Sequence, residues 1–259
     1  MKAKKTIEFI VNWLDDYLSK ANMNGFVIGI SGGIDSAVTS SLCALTNRKV
    51  ILVNLPIKQN INEYNRAKNH ITQLTNNYLN TISLEIQLDN SFESFKKSLP
   101  NEVKENNLSM ANSRARLRMM SLYAIAQNEN CLVVGTGNKI EDFGIGFFTK
   151  YGDGGVDISP IADLLKSEVF EIAKKLNIIE KIQLAKPTDG LWGDERTDED
   201  QIGASYKELE WAMSYKINKQ DKLNEREQKV LDIYKSLNKI NQHKMLPIPV
   251  CSIPENLRK

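Results

Sequence analysis

Histidine is almost missing from this chain: the 259 residues contain only His70 and His243, far apart in sequence. A histidine-rich metal site, or any chemistry needing several imidazoles, is thereby excluded. Carboxylates, lysines and backbone amides must do the work. Cysteine is scarce as well. Cys43, Cys131 and Cys251 form no C-x-x-C pair, which argues against a zinc ribbon or a disulfide framework and leaves all three reading as small core residues. A soluble, reducing, cytoplasmic setting is expected from this. No apolar stretch approaches the length of a membrane span. Near the amino terminus, Asp15 and Asp16 interrupt the one run that might imitate a secretory signal. An excess of one charge is also lacking, since 34 Lys and Arg face 32 Asp and Glu for a formal charge of +2. No broad basic field for nucleic acid exists, so a phosphate-rich partner must be held by a local cluster of cations.

What is present is an ordinary globular composition, 41% hydrophobic and 25% charged, sufficient for a sizeable core. Short apolar runs at 26–30, 50–55 and 131–135, and an alternating one at 82–88, read as strands. Helical spacing covers 7–18, 62–79 and 108–127 between them. Strands alternating with helices predict an α/β fold: a doubly wound, mostly parallel sheet covered on both faces, Rossmann-like, with ligands at the carboxyl ends of the strands. Residues 137–155 are glycine-rich without a clear period and read as an ordered loop over a site. Helical spacing returns at 166–176, 201–215 and 223–245, giving a helical C-terminal portion. The acidic, turn-rich stretch 189–200 is a candidate lid. With no repeat or linker, residues 1–259 are read as a single domain.

The strongest local signal is Gly29-Ile30-Ser31-Gly32-Gly33-Ile34-Asp35-Ser36, placed where the first strand hands over to a helix. Glycines open backbone conformations closed to other residues, and a helix start presents unpaired amides and a positive dipole end to an anion. Ser31 and Ser36 add hydroxyls, and Asp35 offers a carboxylate to Mg²⁺. No Walker lysine follows, so this is not the ordinary ATPase loop. The bland alternative is a turn in which Asp and Ser merely cap the helix. Downstream, Arg114, Arg116 and Arg118 lie on a predicted helix, with Arg114 and Arg118 sharing a face.

The loop resembles the S-G-G-x-D-S signature of the PP-loop ATP pyrophosphatases. The further strings N-x-x-A-R-x-R-M at 112–119, G-F-F-T-K-Y-G-D-G-G-V-D at 146–157, Lys186-Pro187-Thr188 and His243-Lys244 are similar, in the same order, to those of ammonia-dependent NAD synthetases. That resemblance implies a five-stranded parallel sheet and an ATP-dependent amidation of deamido-NAD by ammonia through an adenylate, with ATP as co-substrate and Mg²⁺ as cofactor. By the same resemblance Gly29 to Ser36, Thr136, Lys166 and Thr188 contact ATP. Asp35 and Glu141 hold the metal, and Arg116, Lys150, Asp157, His243 and Lys244 contact deamido-NAD. Asp153 is the hypothesised carboxylate that accepts a proton from ammonium or orients ammonia, and Asp35 and Lys166 complete the catalytic set. Because the loop begins at Gly29, no amidohydrolase domain is expected ahead of it, and free ammonia or a separate protein would supply the nitrogen. A homodimer is implied, with no nucleic-acid or membrane partner. The competing readings are another PP-loop adenylating enzyme, such as a tRNA-modifying ligase, disfavoured by the missing cysteine pair and the near-neutral charge, and a non-catalytic nucleotide-binding module.

Overall fold

The computed structural model describes residues 1–188, 197–216 and 222–258. Four parallel strands form the sheet: β1 (Gly25–Gly29), β2 (Lys49–Asn54), β3 (Thr81–Glu85) and β4 (Cys131–Val133), in the order β3-β2-β1-β4. The chain therefore winds outward from β1 to β3, then crosses back to place β4 on the other side of β1. That reversal between β1 and β4 opens a crevice at their carboxyl ends.

The side chains of β1 show why the sheet is buried twice. Phe26 and Ile28 join one core with α1 (Ala3–Ala21), α2 (Ile34–Leu45), α3 (Ile61–Asn77) and α7 (Lys166–Lys175). Val27, pointing the other way, joins a second core with α4 (Asp89–Lys97) and α6 (Asn107–Glu129). Period-two alternation between two apolar faces yields the continuous apolar run seen in the sequence. Between α4 and α6 lies the single turn α5 (Asn101–Lys104). A third core gathers the C-terminal helices α9 (Asp198–Ile202), α10 (Tyr206–Ser214) and α11 (Glu225–Met245), with α8 (Glu180–Gln183) preceding them.

Four expectations are corrected. The five-stranded sheet has four strands among the described residues; the fifth is reduced to one parallel bridge, Val134 to Ile158. Pro160 follows two residues later, and proline has no amide to offer a ladder. The single helix expected over 201–215 is broken into α9 and α10, because Gly203 ends α9 in the left-handed region at φ 82° and Ser205 caps α10 through Glu208 N. The aperiodic loop 137–155 contains a π-helix, Ile140–Ile145. Of the expected core cysteines, Cys43 and Cys131 are buried but Cys251 is exposed. The candidate lid at 189–200 lies outside the described residues up to 196. No helix among the described residues is long and apolar enough to cross a membrane.

Candidate active site

The phosphate loop leaves β1 and turns into α2. Gly32 sits at φ 88°, where a Cβ would lie 2.3 Å from the Glu63 carbonyl oxygen of α3, so only glycine fits. The Arg66 Nε donates to the Gly32 carbonyl at 3.0 Å, and the Gln59 side-chain amide donates to the Ser31 carbonyl at 3.0 Å, fixing the loop from outside. Ser31 and Ser36 hydroxyls lie 3.0 Å apart, and Ser36 Oγ donates back to the Gly33 carbonyl. The N-cap is Gly33, which has no side chain of its own, and the Ser31 hydroxyl accepts from its amide at 3.2 Å, so both serines brace the turn. Ile30 and Ile34 are buried and anchor it in the core, while Gly29 ends β1 against Leu122.

Asp35, in the first turn of α2, is where separate elements converge. Lys166, the first residue of α7, places Nζ 2.7 Å from Asp35 Oδ2 and 3.0 Å from Glu141 Oε1. The three side chains are 4%, 18% and 16% exposed for Lys166, Asp35 and Glu141. A cation at a helix start opposes the dipole there, and the two carboxylates offset that cost. Glu141 arrives on the π-helix after β4, whose start is organised by the fully buried Asn138. Its side-chain oxygen accepts from the Ile140 and Glu141 amides at 3.1 and 3.2 Å, while its Nδ2 donates to Asp35 Oδ1 at 3.1 Å.

Burial pushes the Asp35 carboxyl above its usual range, against the pull of Lys166. Burial pushes Glu141 the same way, but the Lys166 charge and a hydrogen bond from the Tyr206 hydroxyl outweigh it, and the net shift is downward. The two carboxylates share one ammonium, but the Glu141 charge adds to the rise at Asp35 while the Tyr206 donor helps to hold Glu141 ionised. Burial works against a charged Lys166, yet the two carboxylates hold its pKa above the ordinary value. Next to Glu141, burial and then the neighbouring charges of Glu141, Asp153 and Asp35 push Asp142 up to about 8.

A second feature is a cavity of about 540 Å³ lined in part by Arg116, Tyr123, Phe148, Lys150 and Lys244. Arg116 Nε and Lys150 Nζ are held by backbone carbonyls, those of Lys150 (3.2 Å) and His243 (2.6 Å), and Lys244 Nζ donates to the Phe148 carbonyl at 2.8 Å. Three cations thus face one concavity. Of the arginine series, Arg116 alone lines this cavity; Arg118 donates to the Leu55 carbonyl, and burial lowers its pKa to about 10. Arg114 lies over the Phe92 ring.

The structure distributes the remaining expected residues as follows. Asp157 accepts from the Tyr123 hydroxyl at 2.9 Å and from the Val133 amide at 2.8 Å, so it supports a cavity wall and ends the ladder of β4. His243 is exposed, its ring near the Ile240 carbonyl, and its backbone oxygen is what holds Lys150. Thr136 lies just past β4 at the crevice. Thr188 is exposed, beside Pro187, whose carbonyl accepts from the Asp198 amide. Asp153 Oδ1 accepts from the Thr149 amide at 3.0 Å. Its charge acts on Asp142, Lys244 and Arg118, and the next residue, Gly154, lines the cavity. Sequence reasoning missed Asn138 and Tyr206. Asn138 stands two residues after Thr136 and three before Glu141, and Tyr206 opens a helical stretch, but only the fold shows what they touch.

A parallel sheet with a glycine-turned helix start at its switch point, next to a buried carboxylate–lysine cluster, defines an α/β nucleotide-binding protein built to seat phosphates. The chain belongs to the NAD synthase family, whose model matches residues 6–247. A Mesoplasma florum protein described as an NH(3)-dependent NAD(+) synthetase is 37% identical over 94% of this chain and 95% of its own length. Two solved structures are similar throughout. An NMN synthetase from Francisella tularensis has TM-score 0.85 and 32% identity, covering 98% of this chain and 100% of that one. An NH3-dependent NAD synthetase from Campylobacter jejuni has TM-score 0.78 and 25% identity, covering 97% and 100%.

Proposed function

We infer that this chain is a ligase that amidates deamido-NAD to NAD with ammonia, consuming ATP and releasing AMP and pyrophosphate by way of an NAD-adenylate. The observation that carries the reading is the pairing of two half-sites: the phosphate loop with its buried Asp35–Lys166–Glu141 cluster, and the cavity where Arg116, Lys150 and Lys244 converge. In this reading the loop from Gly29 to Ser36 cradles the phosphates, with Thr136, Lys166 and Thr188 beside the nucleotide. Arg116, Lys150 and Lys244 hold the dinucleotide acid, with Asp157 and His243 supporting them.

Two half-buried carboxylates on separate elements suit a hard cation, and Asp35 and Glu141 would hold Mg²⁺. When bound, that ion supplies positive charge where a carboxylate must approach a phosphate. Lys166 adds a second cation at the same place, offsetting charge that builds on the leaving pyrophosphate. Asp153, whose charge acts on both Asp142 and Lys244, takes the proton that ammonium must lose, or aims the ammonia, once the carbonyl is activated. No protein nucleophile is required.

The apolar side chains left exposed around the cavity, among them Met120 at 64% and Ile248 at 67%, support a homodimer closing over it. We further propose that residues 1–259 act as one domain in the cytoplasm. The test is product analysis with ATP, Mg²⁺, ammonium and deamido-NAD, with tRNA and the corresponding mononucleotide acid as rival acceptors. NAD, AMP and pyrophosphate are the expected products. ADP with orthophosphate, or no amide, overturns the reading.

A further inference from the structure

We propose that Lys166 is a resident counter-ion that keeps a divalent cation off Asp35 and Glu141 until nucleotide binds, so that metal and ATP are taken up as one unit. The proposal rests on the reading of these two carboxylates as the magnesium ligands.

Three observations carry it. First, Lys166 Nζ already occupies the space between the two carboxylates, at 2.7 and 3.0 Å, in a side chain only 4% exposed and stacked 4.7 Å from the centre of the Tyr206 ring. A divalent ion reaching the same oxygens would meet a like charge a few ångströms away with little water between them, and that repulsion is strong in a poorly solvated site. Second, the cluster brings two carboxylates, those of Asp35 and Glu141, to one ammonium. Two carboxylates leave most of an octahedral shell to be filled, and for magnesium the usual partners are water and the phosphates of the substrate. Third, Lys166 opens α7, where the helix dipole disfavours an ammonium, so its position depends on the carboxylates. Phosphates seated on the neighbouring loop offer a competing anion, and a lysine stem is flexible enough to turn to it. The ammonium then passes from bridging the two carboxylates to pairing with the nucleotide, freeing the carboxylates for the metal.

The test is Mn²⁺ binding to the full chain, read by electron paramagnetic resonance without turnover, with and without α,β-methylene-ATP. Wild-type protein is expected to bind Mn²⁺ only with the analogue. Lys166→Met and Lys166→Gln, checked for folding by circular dichroism, are expected to bind nucleotide-free Mn²⁺ about tenfold or more tightly than wild type, whereas Lys166→Arg, which keeps the charge, restores exclusion. Equal Mn²⁺ affinity of the wild type with and without the analogue overturns the proposal, and this measurement needs no variant. So does neutral substitution that fails to improve binding. A separate arm tests the premise: if Glu141→Gln leaves Mn²⁺ binding in the analogue complex unchanged, the metal assignment itself falls, and the proposal with it.

Discussion

The Tyr206 hydroxyl donates to Glu141 Oε1 across 2.5 Å and lies 3.1 Å from Asp198 Oδ2, joining the first residue of α10 to the π-helix that follows β4. This one phenol orients a carboxylate of the buried cluster, and its ring faces the Lys166 ammonium. Tyr206→Phe keeps the ring and removes the donor. It is expected to cost about 1 kcal/mol of stability and to lower kcat about tenfold by loosening Glu141, with a rise in the Mg²⁺ concentration needed for half-maximal rate. Steady-state kinetics across a magnesium titration check this; an unchanged magnesium dependence removes Tyr206 from the site.

Asp153→Asn should damage amide formation more than adenylate formation. Rapid-quench single turnovers that follow both species separate the two steps. Equal loss in each refutes the role given to Asp153.

Gly32→Ala places a side chain where φ is 88° and a carbonyl oxygen stands 2.3 Å from the new carbon. Strain and collision together should cost about 2 kcal/mol or more, lowering Tm by about 4–8 °C for a chain of this size, and ATP binding should fall with it. Calorimetry and nucleotide titration read the two effects.

His70 is fully buried in α3, its Nε2 2.9 Å from Ser40 Oγ, and burial lowers its pKa to about 4. The unfolded chain, with an ordinary value of 6.5, binds this proton first as pH falls. The contribution to stability is therefore complete above pH 6.5 and is lost on acidification towards pH 4. Between pH 7 and pH 5 the loss should be about 2 kcal/mol. Asp142, raised to about 8, acts in the opposite direction, because its folded form retains a proton that the unfolded chain gives up as pH rises. Urea denaturation at the two pH values isolates the histidine: compared with the parent protein, His70→Gln should shift the stability difference between pH 7 and pH 5 by that amount in favour of the lower pH, whatever its absolute stability.

Met120→Glu puts a charge on the apolar rim of the cavity. Sedimentation is expected to show the mass of a single chain, with KM for deamido-NAD raised about tenfold or more. A mass unchanged from that of the parent protein would count against this rim as the dimer contact.

Much of this architecture could be read in advance wherever the signal was local. The phosphate loop is one continuous string, and β1, β2 and β4 announce themselves because sheets buried on both faces need uninterrupted apolar runs. The break at Gly203 was also available to reading, since glycine commonly ends a helix in the left-handed region. The π-helix was not, because it follows neither the helical nor the strand period. Nor was the cluster: Lys166 meets Asp35 across 131 positions and Tyr206 meets Glu141 across 65. Asn138 looked like one more polar residue in a loop, and its double task, capping the π-helix while holding Asp35, exists only once β1 and β4 lie side by side.

The 21 residues of α11 touch both halves of the machinery. Asn238 and Asn241 donate to the Gly144 and Ile145 carbonyls at the end of the π-helix, and one turn further Lys244 reaches the cavity wall. A continuous helix bends little over so short a span, so it behaves as a beam pinned at neighbouring points. In the proposed function, a dinucleotide settling against its last turn would bear on the segment carrying Glu141, and reorganisation around the nucleotide phosphates would bear on it in return. By thermodynamic reciprocity the two ligands would then feel one another through this beam to the same degree in each direction.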